Sequence, residues 1–191
     1  MSNLNYCFLA DISYNNCMGK IEYKPDLKRG ILFICTGNVF RSKTAAALAC
    51  NKGISCASAG FDPKRLHDEN KDLSYFNHGR NKDIIMDLEA FEYCIKKKVK
   101  EWEIEPGQKE LTPELIKESQ IVICMNYKEH YPMMEKFKIK HNLETHNEMY
   151  WNIPDLQKEK GWKGWEDNLD YGSKKDILMM IKDRIDSISS K

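Results

Sequence analysis

Residues 30–49, GILFICTGNVFRSKTAAALA, constrain this chain more than any other stretch. The continuous β-branched and aromatic run at Ile31, Leu32, Phe33 and Ile34 suits a strand buried on both faces, the situation of a parallel sheet covered by helices. After the polar segment at 36–41, Ser42 leads into an alanine-rich run with the highest helix propensity, and Gly53 is a natural stop. The unit predicted is strand, short polar loop, helix.

The rest of the chain repeats that alternation. A second apolar run at 54–57 follows at crossover distance and leads to a turn at Ser58, Ala59 and Gly60. Residues 61–80 are polar and loop-like. From 83 to 102 the apolar positions Ile84, Leu88, Phe91, Ile95, Val99 and Trp102 recur every three or four residues, which marks one amphipathic helix. Thr112, with Pro113 at the first helical position, caps a short helix running to about Glu118. Residues 121–125 read as a third strand, 128–138 as a helix and 149–153 as a fourth strand ending at Pro154 and Asp155. Ser173, with Asp176 three residues on, caps a final helix whose core face is Ile177, Ile181, Ile185 and Ile188. The expected fold is α/β, an open four-stranded parallel sheet flanked by helices on both faces, with ligands at the C-terminal edge. With 191 residues and 22.4 kDa, one domain over 1–191 is expected, carrying an N-terminal arm at 1–29 and a helical insertion at 61–110. The insertion is expected to act as a lid or docking surface.

Composition removes several classes. Thirty basic residues against 29 acidic ones give a net charge of +1, so no global field recruits nucleic acid or anionic lipid. Apolar runs are about five residues long where a membrane span needs about 20, and residues 1–16 lack the basic start and long apolar stretch of an export signal. Neither a nucleic-acid partner nor a membrane span is expected. Seven cysteines without a C-x-x-C pair indicate free thiols and a cytoplasmic setting. The five histidines show no tetrahedral zinc spacing, so no metal is expected.

Any anion site must therefore be local, and the loop after the first strand supplies one. Cys35, Thr36, Gly37, Asn38, Val39, Phe40, Arg41 and Ser42 stand at the sheet edge and enter a helix N-terminus. Successive backbone N–H groups there can face one point, with the helix dipole adding positive charge. Gly37 and Asn38 are residue types that adopt left-handed backbone angles, which such a curl requires. Arg41 can present a planar fork to two oxygens of a tetrahedral anion. The same field favours a nucleophilic thiolate at Cys35.

ILFICTGNVFRS (31–42) resembles the phosphate-binding loop of the low-molecular-weight protein tyrosine phosphatase family. Three further stretches agree in order: Ser58, Ala59 and Gly60; LTPELIKESQIVICMN at 111–126; and Asn152, Ile153, Pro154, Asp155. The resemblance implies two-step phosphoryl transfer without metal or cofactor. Cys35 attacks phosphorus, Arg41 and the amides of residues 36–41 hold the equatorial oxygens, and Asp155 is the general acid. Ser42 donates to the Cys35 sulfur and Ser58 holds Asn38. The implied partner is a phosphotyrosine-containing protein or an aryl phosphate, and Val39, where threonine accompanies phosphoarginine specificity, also favours phosphotyrosine.

The chain departs from the family at Phe40, where a second cysteine is usual, and at Asn126, where aspartate is usual and a charge is lost. Leu156 and Gln157 replace Pro-Tyr after the acid, leaving Trp151, Phe40 or Phe61 as candidates for the aromatic wall. Arsenate reductase on the same scaffold is the rival reading; it needs two further redox cysteines close together on a mobile segment, whereas Cys94 and Cys124 fall on an expected helix and a buried strand. A phosphate-binding module without turnover is the third.

Overall fold

A computed structural model of the chain describes residues 30–63, 88–100, 103–104, 107–144, 147–156 and 171–189. The expected arm at 1–29 and most of 61–87 lie outside the described residues. The central strand is β1 (Ile31–Cys35), buried along its whole length as its unbroken apolar sequence requires. It pairs in parallel with β2 (Cys56–Gly60) on one side and β3 (Ile121–Cys124) on the other, and β3 pairs with β4 (Glu148–Tyr150), giving the order β2-β1-β3-β4.

Side chains alternate across this sheet and build two cores. Ile31, Phe33, Cys35 and Ile123 face helices α1 (Arg41–Cys50), α2 (Leu88–Lys96) and α5 (Lys174–Ser189). Leu32, Ile34, Val122 and Cys124 face α3 (Pro113–Glu118) and α4 (Tyr127–His141) through Ile116 and Met134. The expected four-stranded parallel sheet with helices on both faces is the fold observed. A two-stranded parallel pair that the sequence pattern did not mark, β5 (Asp155–Leu156) with β6 (Tyr171–Gly172), lies beyond β4.

Three boundaries shift for physical reasons. Ser58, Ala59 and Gly60 continue β2 instead of forming a turn, because the Gly60 N–H donates to Lys109 O (2.8 Å) and its carbonyl accepts from Leu111 N (2.8 Å). α2 stops at Lys96, well short of the expected 102. Lys98 takes a positive φ of 63° and the Val99 N–H reaches back to Cys94 O (3.1 Å), a left-handed helix stop built on lysine where glycine is usual. β4 ends at Tyr150, since Trp151 and Ile153 bond instead to the carbonyls of Cys124 and Met125.

Caps were legible. Ser173 Oγ accepts from Asp176 N (3.2 Å) and donates to Asp176 Oδ2 (2.6 Å), and Ile177, Ile181 and Ile185 are buried. Thr112 Oγ1 accepts from Leu115 N at the start of α3. Ala90 and Cys94 are fully buried, with Val99 and Ile104, in the core shared with α1 and α5.

Candidate active site

The loop expected to carry chemistry runs from the end of β1 into α1, at the C-terminal edge of the sheet. Asn38 takes φ = 52° and is completely buried. Its side chain holds the curl from three directions: Nδ2 donates to Ser42 Oγ (3.0 Å) and to Ser58 Oγ (2.8 Å), and Oδ1 accepts from Lys109 N (2.8 Å). Gln108 Nε2 adds a bond to Gly37 O (2.8 Å). Gly60 backs the loop so closely that a Cβ there would lie 2.7 Å from Thr36 O and 2.9 Å from Asn38 N. A glycine is required at that contact.

The curl turns on the Cys35 sulfur. Asn38 N donates to Sγ at 3.3 Å, and Ser42 Oγ lies 3.0 Å from it. α1 begins at Arg41 with no side chain capping its first turn, so its leading N–H groups and the positive end of its dipole are directed at the loop. Val39 and Phe40 are buried, and Thr36 is half-buried at the rim.

Arg41 is buried beside two carboxylates. Nη1 lies 2.8 Å from Glu129 Oε2, and Nη2 lies 3.4 Å from Asp155 Oδ1. Burial by itself would lower the Arg41 pKa; Asp155, Glu129 and Cys35 outweigh it and hold the guanidinium above its ordinary value. The candidates Cys35, Arg41, Ser42, Asn38 and Ser58 thus converge, and Asp155 reaches the same arginine from β5.

Two residues here were not singled out from the sequence. Glu129 stands one helical turn after Asn126 on α4, where Asn126 caps the helix by accepting from Glu129 N (3.1 Å). Thr36 Oγ1 donates to Glu129 Oε1. The carboxylate charge absent at 126 is therefore present at 129. Burial alone would raise the Glu129 pKa, but Arg41 and His130 pull it well below the carboxylate range. His130, fully buried, accepts from Asn126 N through Nδ1 (2.9 Å), which leaves the proton on Nε2, 3.3 Å from both Glu129 Oε2 and Thr36 Oγ1. Burial pushes its pKa down, so the ring is neutral. A carboxylate in the first turn of a helix carries little sequence signal, being common there for dipole reasons.

Of the aromatic-wall candidates, Trp151 and Phe40 are buried, with Trp151 against Phe33 (5.6 Å between centroids), and Phe61 stacks on His130 (5.8 Å). Gln157 lies outside the described residues. Among the described residues no group of three or more His, Cys, Asp or Glu could hold a metal ion, and no helix is long and apolar enough to cross a membrane.

No protein-family model and no curated protein matches the sequence. Solved structures do match the fold. Wzb from Vibrio vulnificus, in complex with benzylphosphonate, superposes with a TM-score of 0.58 at 16% identity over 85% of this chain and 97% of its own. SP-PTP, a low molecular weight protein tyrosine phosphatase from Streptococcus pyogenes, gives 0.54 at 14% over 85% and 91%. The YwlE arginine phosphatase from Geobacillus stearothermophilus gives 0.52 at 18% over 84% and 90%. The chain has the fold of the low molecular weight protein tyrosine phosphatases, as its loop sequence led us to expect.

Proposed function

We propose that this chain is a cysteine-dependent phosphatase acting on phosphotyrosine in proteins and on small aryl phosphates. The observation that carries the reading is the Cys35 sulfur at the base of a curled loop, bonded by Asn38 N and Ser42 Oγ, with Arg41 at the adjoining helix N-terminus. In the first step the Cys35 thiolate attacks phosphorus, the bond to the phenolic oxygen breaks, and Asp155 gives that oxygen its proton. In the second, water loses a proton to Asp155 and attacks phosphorus, and the P–S bond breaks. The electron pair returns to sulfur, where the Ser42 hydroxyl stabilises it. Arg41 and the loop amides hold the equatorial oxygens throughout.

Arsenate reduction is disfavoured by where Cys94 and Cys124 sit. Burial pushes the Cys94 thiol up to about 12 and the Cys124 thiol up as well, and Cys124 lies on the sheet face opposite Cys35. Neither is a resolving thiolate. The cysteine count supports a cytoplasmic setting for the proposed enzyme.

Hydrolysis of para-nitrophenyl phosphate tests the reading. The wild type should turn over and be inhibited by vanadate, Cys35→Ser should be inactive, and Asp155→Ala should lose about 10²–10³-fold in kcat. A wild type that binds phosphate but hydrolyses no aryl phosphate would make the chain a binding module instead.

A further inference from the structure

We infer that Glu129 is the positioning residue for Arg41, supplying from the first turn of α4 the carboxylate that Asn126 does not. The inference rests on the phosphatase reading for its consequence but on contacts alone for its geometry. Arg41 Nη1 makes its close contact with Glu129, at 2.8 Å, whereas Asp155 approaches Nη2 at 3.4 Å. Glu129 is itself held from three sides: Thr36 Oγ1 donates to it, His130 Nε2 lies at 3.3 Å, and its own N–H is tied to the Asn126 cap. A carboxylate fixed in this way sets the rotation of the guanidinium plane. It engages Nη1 and leaves Nη2, which Asp155 approaches at 3.4 Å, for the proposed anion.

Position 126 is within reach of the same arginine. Asn126 Nδ2 and Arg41 Nη1 both point at Ile153 O, at 3.2 and 3.5 Å. A carboxylate placed at 126 keeps the helix cap through one oxygen, because aspartate caps as well as asparagine, and its other oxygen, unable to bond Ile153 O as the amide does, would turn to Nη1. The chain has one anchoring task and two positions able to perform it.

The test is charge relocation. Glu129→Ala, Glu129→Gln and the double variant Glu129→Ala/Asn126→Asp are compared with the wild type by aryl phosphate kinetics, by calorimetric binding of orthovanadate and of inorganic phosphate, and by thermal melting. Misplacement of the fork should lower kcat/KM by about 10- to 100-fold in Glu129→Ala. Vanadate, which mimics the transition state, should weaken in step, while the dissociation constant for ground-state phosphate stays within about threefold. Asn126→Asp should recover most of the loss. Glu129→Gln, which preserves volume, supplies the comparison if Glu129→Ala does not fold. Vanadate binding by Glu129→Gln within twofold of the wild type overturns the inference. So does a loss that Asn126→Asp fails to reverse, or one shared equally by phosphate and vanadate. A wild type that binds vanadate without hydrolysing aryl phosphates fails the phosphatase reading alone, and Glu129 is then judged on vanadate binding. A wild type that binds no vanadate overturns both.

Discussion

Replacing Asn38 by alanine and by glycine separates the two forces that preset the loop. Asn38→Ala removes three buried hydrogen bonds, to Ser42, Ser58 and Lys109 N, at 3.0, 2.8 and 2.8 Å. At about 0.5–1.5 kcal/mol each, these sum to about 1.5–4.5 kcal/mol. Alanine must also hold φ = 52°, which costs a side-chain-bearing residue about 1 kcal/mol where glycine has no such cost. The expected destabilisation is about 2.5–5.5 kcal/mol for Asn38→Ala and about 1 kcal/mol less for Asn38→Gly, a large share of the roughly 5–15 kcal/mol that holds a domain folded. Urea unfolding followed by tryptophan fluorescence measures both, without ligand and at saturating inorganic phosphate. The stabilisation by phosphate should shrink in both variants, because a loop that is no longer preset must be ordered by the ligand. Two variants within about 0.5 kcal/mol of the wild type would refute the hydrogen-bond reasoning. An alanine variant as stable as the glycine one would refute the argument from left-handed strain.

Gly60→Ala drives a Cβ against Thr36 O and Asn38 N, both backbone atoms; it should cost about 1–3 kcal/mol in urea melts and lower kcat/KM by displacing the loop. His130, whose pKa burial depresses below 6.5, resists protonation that the unfolded chain accepts. Stability should therefore fall as pH drops below about 6.5, and His130→Gln should flatten that limb of a melting-temperature profile. Glu129 has a depressed pKa held by Arg41 and extends the loss below about 4.5, a limb that Glu129→Gln should lack. Peroxide inactivation of Cys35 should become resistant to dithiothreitol on prolonged exposure. Phe40 stands where the resolving cysteine would be; among the described residues Cys50 ends α1, Cys56 starts β2 beside Ile31, Cys94 lies on α2 and Cys124 faces the other core.

What the sequence disclosed follows from how local each determinant is. β1, α1 and the cap of α5 are written in contiguous or periodic residues. The loop was readable because nucleophile, asparagine, arginine and serine fall within eight positions. α2 was overextended because its stop at Lys98 uses a residue type that carries no stop signal. Its burial, too, was hidden, since a lysine-rich face reads as solvated even where Ala90 and Cys94 on the other face reach the core. Glu129 escaped because its meaning depends on Thr36, 93 residues away in the chain. Only the packing of α4 against the loop brings them together.

The two carboxylates on Arg41 divide their work by exposure. Glu129, with 12% of its side chain accessible and a 2.8 Å contact, is held by neighbours on every side. Removing it leaves the buried cation to the longer Asp155 contact. Asp155, 39% accessible and 3.4 Å from Nη2, makes the weaker contact. In the proposed reaction a phosphate would compete with Asp155 for Nη2 and leave the Glu129 contact in place. Released from Arg41, the part-exposed Asp155 would then act as the proposed proton donor to the leaving oxygen. The same competition would let a nearly neutral chain hold the proposed anion site. The arginine charge is kept ready by one carboxylate that stays and another that gives way, and the net charge of the whole protein has no part in it.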